Sequence, residues 1–211
     1  MEVTIPTSWE DITLEKYINL RPVLQTEQTD IQRVINILCV LTGENREVIK
    51  EIKLDNYHRI LQKMEFLNTE LPKKLKDEYF EIGGKLYTFK FNAKNLLFGE
   101  YISAMEMIQE AADNEEKMFT NLPKLLTTIC RPVKKVNKKY KDIEMDGELV
   151  RQTADNFYKN MPITIAYPIG VFFYNHLPTL TEDIKISLIK KATQNLKEAA
   201  THLENVGDGG V

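Results

Sequence analysis

The sequence predicts a mainly α fold: a single helical domain with one small β-hairpin. Apolar residues recur at helical spacing along most of the 211 residues, whereas one short segment alternates apolar and polar residues around a Gly-Gly pair. The composition, 43% hydrophobic and 28% charged, is typical of a globular domain. A chain of this length buries enough apolar surface to fold without metals or disulfides. We therefore expect one helical domain over residues 1–204 and a flexible glycine-rich tail at 205–211.

Start and stop signals define the predicted helices in order. Pro22 is expected to limit the first helix, Thr29 with Gln32 reads as a capping box, and Gly43 as a C-cap. Asp55 is a plausible N-cap further along. Pro168 should kink the most apolar helix, which we expect at the centre of the domain; a subunit interface is the alternative. The predicted helices cover residues 9–20, 29–43, 46–52, 56–67, 93–112, 115–129, 148–160, 163–175 and 181–203.

Residues 79–89 predict the β-hairpin. Their alternating pattern turns on Gly83-Gly84, the two-residue signature of a type I′ turn. Because a lone hairpin is marginally stable in water, residues 3–5 are a candidate third strand. An exposed hairpin edge is able to pair with a strand of another chain. The hairpin residues expected to contact a partner are Tyr79, Glu81, Tyr87 and Phe89.

A basic loop is predicted at residues 131–141. It carries Arg131, Lys134, Lys135, Lys138, Lys139, Tyr140 and Lys141 within eleven residues, and acidic residues follow at once. Three interpretations stay open: a solvated loop, an electrostatic contact with a neighbouring subunit, or contact with a nucleic-acid backbone. If the loop contacts a second copy, the acidic region from Glu106 to Glu116 is a candidate for the opposite side.

No motif in the sequence predicts catalysis, a cofactor or a metal site. His58, His176 and His202 lie far apart in sequence, and none belongs to a metal-ligand pattern. Cys39 and Cys130 read as buried free thiols of a reducing compartment. The formal net charge of −3 argues against a protein that coats nucleic acid. We expect a non-enzymatic protein made in the cytoplasm, with no leader sequence and no membrane span.

Several segments together resemble small helical proteins of tailed bacteriophages, including those of crAss-like gut phages. The resemblance rests on residues 9–17 (WEDITLEKY), 37–43 (ILCVLTG), the glycine hairpin before a Tyr-Ile helix, 122–129 (LPKLLTTI) and 162–173. It implies a tail-assembly protein or a ring (connector) component of the virion. The implied partners are the portal, tail proteins or neighbouring copies in a homo-oligomeric ring, with nucleic acid present only as DNA passing through.

Two alternatives to a virion ring remain open at this point. One is a tail assembly chaperone that is absent from the mature particle. The other is a DNA-binding packaging or regulatory factor that uses the basic loop.

Overall fold

The computed structural model describes residues 4–27, 29–89, 97–111, 114–137 and 139–175. Within them the chain is mainly α with a small four-stranded antiparallel sheet, which confirms the predicted fold class. The chain divides into two compact units, 1–171 and 172–211. Of the second unit the structure describes only 172–175, which are helical. The predicted helix at 181–203 and the tail at 205–211 therefore lie outside the described residues.

The first predicted helix is displaced towards the C-terminus. A 3₁₀ turn spans Trp9–Asp11, and helix α1 spans Leu14–Gln25, with Thr13 accepting a hydrogen bond from the Lys16 main-chain nitrogen (3.4 Å). The prediction that Pro22 limits this helix was wrong, because α1 continues through it. Pro22 is exposed, so water can satisfy the carbonyl that loses its N–H partner.

Helix α2 spans Asp30–Thr42 and ends as predicted at Gly43, whose φ of 76° is the left-handed conformation that favours glycine. Thr29 occupies the N-cap position but makes no side-chain capping bond, so the predicted capping box is absent. Residues 56–67 do not form one helix. Helix α3 spans Arg46–Lys50 and α4 spans Tyr57–Lys63, and a 3₁₀ turn follows at Glu65–Asn68.

The predicted hairpin is confirmed. Strand β1 (Tyr79–Ile82) pairs antiparallel with β2 (Lys85–Phe89), and the turn residues Gly83 and Gly84 have φ of 57° and 73°. Both values are positive, as a type I′ turn requires. The register places Ile82 opposite Lys85.

The remaining two strands come from the segment predicted to be a basic loop, so that prediction was wrong. Strand β3 (Cys130–Val136) pairs with β2, and β4 (Lys139–Asp142) pairs with β3, giving the order β1-β2-β3-β4. The proposed third strand at 3–5 does not form, because Thr4 and Ile5 are not in a strand and residue 3 lies outside the described residues. The hairpin is instead stabilised by β3.

The other helices pack against the sheet. Helix α5 spans Phe98–Ala111, α6 spans Glu115–Ile129 and α7 spans Gly147–Asn160; α6 and α7 match their predicted ranges closely. Residues 163–171 are helical, and their buried side chains agree with the predicted central position. Phe157 of α7 packs edge-on against Tyr87 of β2, with ring centroids 4.8 Å apart. Among the described residues, no helix combines the length and the apolar character needed to cross a bilayer.

Candidate interaction surface

Strands β3 and β4 form a two-stranded ribbon, residues 130–142, and the turn that joins them was not predicted from the sequence. Its register pairs Val136 with Lys139, and Asn137 lies in the turn between them. Asn137 has a φ of 49°, and asparagine is among the few residues other than glycine that adopt this conformation readily. The signal was therefore one asparagine between two short basic segments, which is weaker than the Asn-Gly or Gly-Gly signature.

Arg131 anchors the base of this ribbon to the helices. Its guanidinium forms an ion pair with Glu100 of α5 and donates to the Thr127 carbonyl at the end of α6 (Nη1···O, 3.1 Å). Burial lowers the pKa of the guanidinium, and the negative charge of Asp142 acts in the opposite direction. Arg131 is only 8% exposed, so it positions the ribbon and does not belong to the predicted contact surface.

Two further predicted contact residues also lie in the core. Tyr87 and Phe89 are each 1% exposed. Because strand side chains alternate between faces, the same pattern that predicted the hairpin also placed these two aromatic rings on one face, where Tyr87 packs against Phe157 of α7. Tyr79 and Glu81 of β1 lie on the opposite face and are exposed. Tyr87 and Phe89 therefore do not belong to the candidate surface.

The remaining predicted residues are exposed, with Lys138 outside the described residues. They are Tyr79, Glu81, Lys134, Lys135, Lys139, Tyr140 and Lys141. The structure brings Tyr79 of β1 and Tyr140 of β4 together, with ring centroids 4.5 Å apart and an angle of 33° between the rings. The two residues are 38% and 43% exposed, so this aromatic pair stays accessible to solvent.

The ribbon leaves an uncovered sheet edge. Within the described chain no strand pairs with the outer side of β4, and all four of its side chains are exposed. The Ile143 nitrogen donates to the Pro132 carbonyl (2.8 Å), so these two residues form a hydrogen-bonded pair of the ladder. In an antiparallel pair, hydrogen-bonded and non-hydrogen-bonded residue pairs alternate. Tyr140 is an odd number of positions from Ile143, so its main-chain N–H and C=O point away from β3. An N–H and a C=O at such an edge can hydrogen-bond to another polypeptide strand.

A second concave feature was not predicted from the sequence. A groove of about 650 Å³ lies beside the start of β1 and is lined by apolar side chains that include Trp9, Phe66 and Phe80. Trp9 is held in place by its indole nitrogen, which donates to the Thr69 carbonyl (3.1 Å). Lys76 and Glu10, which also line the groove, pair with each other (3.3 Å). The groove therefore presents mainly apolar surface.

The described residues contain no cluster of three or more histidine, cysteine or carboxylate side chains that would hold a metal ion. Burial raises the pKa of the Cys130 thiol, which keeps it protonated. Comparison of the chain with protein-family models, with curated proteins and with solved structures gave no match.

Proposed function

We propose that the chain is a non-enzymatic structural component of a tailed-phage virion that forms a ring in the tail or head-to-tail connector. Its partners would be the portal, tail proteins or neighbouring copies of itself. The resemblance of the sequence to small helical phage proteins supports the phage assignment. The geometry supports the narrower statement that the chain works by docking against other polypeptides.

The uncovered edge of β4 is the observation that carries this proposal. Unpaired main-chain groups of an edge strand invite association, and folded proteins limit this by keeping such strands short and by placing lysines on them. The four-residue β4 carries two lysines, so its edge favours a partner that offers negative charge. Here the strand projects on a ribbon whose base is fixed by the ion pair between Arg131 and Glu100. The exposed aromatic pair of Tyr79 and Tyr140 adds apolar surface next to it. An uncovered edge with adjacent aromatic rings suits contact with another subunit.

Mass spectrometry of purified phage particles tests the virion assignment. We expect peptides of this chain in purified particles, at an abundance that corresponds to several copies per particle. If the chain is present during infection but missing from the purified particles, the virion role is refuted and an assembly chaperone takes its place.

The lysine-rich ribbon also favours a second candidate, a DNA-binding packaging factor. Exposed lysines bind phosphate without sequence preference, and such binding weakens steeply as salt rises. A gel shift at low salt that is lost in a Lys134→Glu/Lys135→Glu variant would support this function. No retardation at low salt would remove it.

A further inference from the structure

The ribbon concentrates like charges that the rest of the described chain does not neutralise. The register places Lys134 directly opposite Lys141, and Lys139 lies two residues further along the same face. All three side chains are exposed, and no ion pair within the described residues includes them. Like charges directly opposite each other destabilise a strand pair. We call these three residues the lysine face; an anionic partner would relieve their repulsion.

A matching acidic patch lies on α5. Glu106 and Glu110 are one helical turn apart and both are exposed, so they also repel each other. Glu110 accepts a hydrogen bond from the Asn121 amide of the neighbouring helix α6 (3.2 Å), which holds its carboxylate in place. No ion pair within the described residues includes either carboxylate. We call Glu106 and Glu110 the acidic face.

The chain therefore carries two self-repelling clusters of opposite sign. The overall balance is acidic, with 31 acidic and 28 basic side chains, yet residues 130–142 hold six basic side chains and one acidic one. We propose that the lysine face of one copy docks against the acidic face of a second copy. This inference rests on the proposed assembly function and names the contact through which copies would associate. Two different surfaces meet in such a contact, so the association is head-to-tail and can close into a ring.

The position of the aromatic rings favours a protein partner over nucleic acid. Tyr140 alternates with Lys139 and Lys141 along β4, so its ring lies on the opposite face of the ribbon, where it contacts Tyr79. The lysine face itself offers no ring on which a base could stack. Nucleic acid would thus be held by phosphate contacts alone, whereas carboxylates of a second copy give both charge pairing and a defined orientation.

Charge reversal tests the contact in both directions. One variant, Lys139→Glu/Lys141→Glu, reverses the lysine face, and another, Glu106→Lys/Glu110→Lys, reverses the acidic face. A third variant combines all four changes. Self-association is measured by sedimentation velocity over a concentration series at low and high salt, and circular dichroism checks that each variant is folded.

We expect the unmodified chain to self-associate at low salt and less at high salt. Each two-residue reversal should weaken association by on the order of tenfold or more. The four-residue variant should recover association, because the signs are exchanged and remain complementary. An equimolar mixture of the two reversal variants should associate for the same reason. A control variant, Lys53→Glu/Lys63→Glu, changes the same net charge at exposed sites outside the ribbon and should leave association unchanged.

Three results would overturn the inference. They are an unmodified chain that stays monomeric at every concentration, reversals that leave association intact, and a four-residue variant that does not recover it. Loss of single-stranded oligonucleotide binding in the Lys139→Glu/Lys141→Glu variant, without any change in self-association, would overturn it in favour of nucleic acid. The proposed function fails separately, through absence of the chain from purified particles.

Discussion

Breaking the partly buried ion pair between Arg131 and Glu100 should destabilise the fold far more than breaking an exposed one. Removing one partner of a buried pair leaves an uncompensated charge and typically costs about 3–5 kcal/mol. Arg131 is 9% exposed in its side chain and Glu100 is 21% exposed, so we expect Glu100→Leu to cost the lower value, about 3 kcal/mol. In a chain of this size that lowers the melting temperature by about 6–12 °C.

A double-mutant cycle separates the pair from its surroundings. Arg131→Met should cost at least as much free energy of unfolding, because it removes the hydrogen bond to the Thr127 carbonyl in addition to the ion pair. The combined variant leaves two apolar side chains facing each other, whereas each single variant leaves one unpaired charge. Its loss of unfolding free energy should therefore be smaller than the sum of the two single losses by at least about 2 kcal/mol. Urea unfolding followed by circular dichroism gives each free energy of unfolding.

The matched control is the exposed pair of Arg151 and Glu148 on α7, whose side chains are 79% and 58% exposed. The same cycle there, Arg151→Met and Glu148→Leu, should give a coupling energy of about 0.5 kcal/mol or less. If the changes at Arg131 and Glu100 instead add to within about 0.5 kcal/mol, the pair is not coupled, and the account of how the ribbon is anchored is refuted.

Three further predictions concern stability, reactivity and pH. Gly84→Ala should lower the free energy of unfolding by about 1–2 kcal/mol, because the φ of Gly84 is positive. Gly83→Ala should lower it more, since a Cβ at that position would lie 2.6 Å from a side-chain oxygen of α7. Urea unfolding of both variants measures the difference. Folded protein should react with a thiol reagent at Cys39 and not at Cys130, whose burial raises the pKa of its thiol; reaction of both in the folded state would contradict this. Hydrogen bonds from main-chain N–H groups hold the pKa of Asp11 below its ordinary value of 3.8. The ionised carboxylate therefore stabilises the fold above pH 3.8, and this stabilisation is lost as the pH falls through the lower pKa of the folded state. An Asp11→Asn variant should lose less free energy of unfolding on acidification than the unmodified chain, and an identical pH dependence of the two would contradict this prediction.

Local signals in the sequence correctly predicted those elements that begin or end at a capping residue or a glycine turn. Gly43 ended α2, and Gly83-Gly84 defined the turn between β1 and β2, because each has a backbone conformation that other residues adopt at a cost. Asp146 accepts a hydrogen bond from the Leu149 nitrogen (2.8 Å) and opens α7 close to its predicted start. Pro22 misled the prediction, because proline at an exposed position of a helix removes one hydrogen bond without having to end the helix.

The candidate surface was predicted in part. The sequence located the basic residues and the hairpin, yet it could not distinguish the exposed Lys134 from the buried Arg131, since both are cations within the same segment. Their difference comes from Glu100, which is 31 positions earlier in the sequence and reaches Arg131 only when α5 packs beside β3. Likewise, Tyr79 and Tyr140 become neighbours only through the folding of β1 to β4 into one sheet.

By itself, the sequence determined the mainly α class, the hairpin turn and the concentration of positive charge near residue 135, because these follow from local backbone preference and from composition. Only the tertiary structure decided that the basic segment is a β-ribbon, which of its cations face solvent, and that three lysines share one face. Strand pairing joins residues that are distant in the sequence, and a one-residue shift of register would exchange the two faces. For that reason the surface that the chain offers to a partner is a property of the assembled sheet.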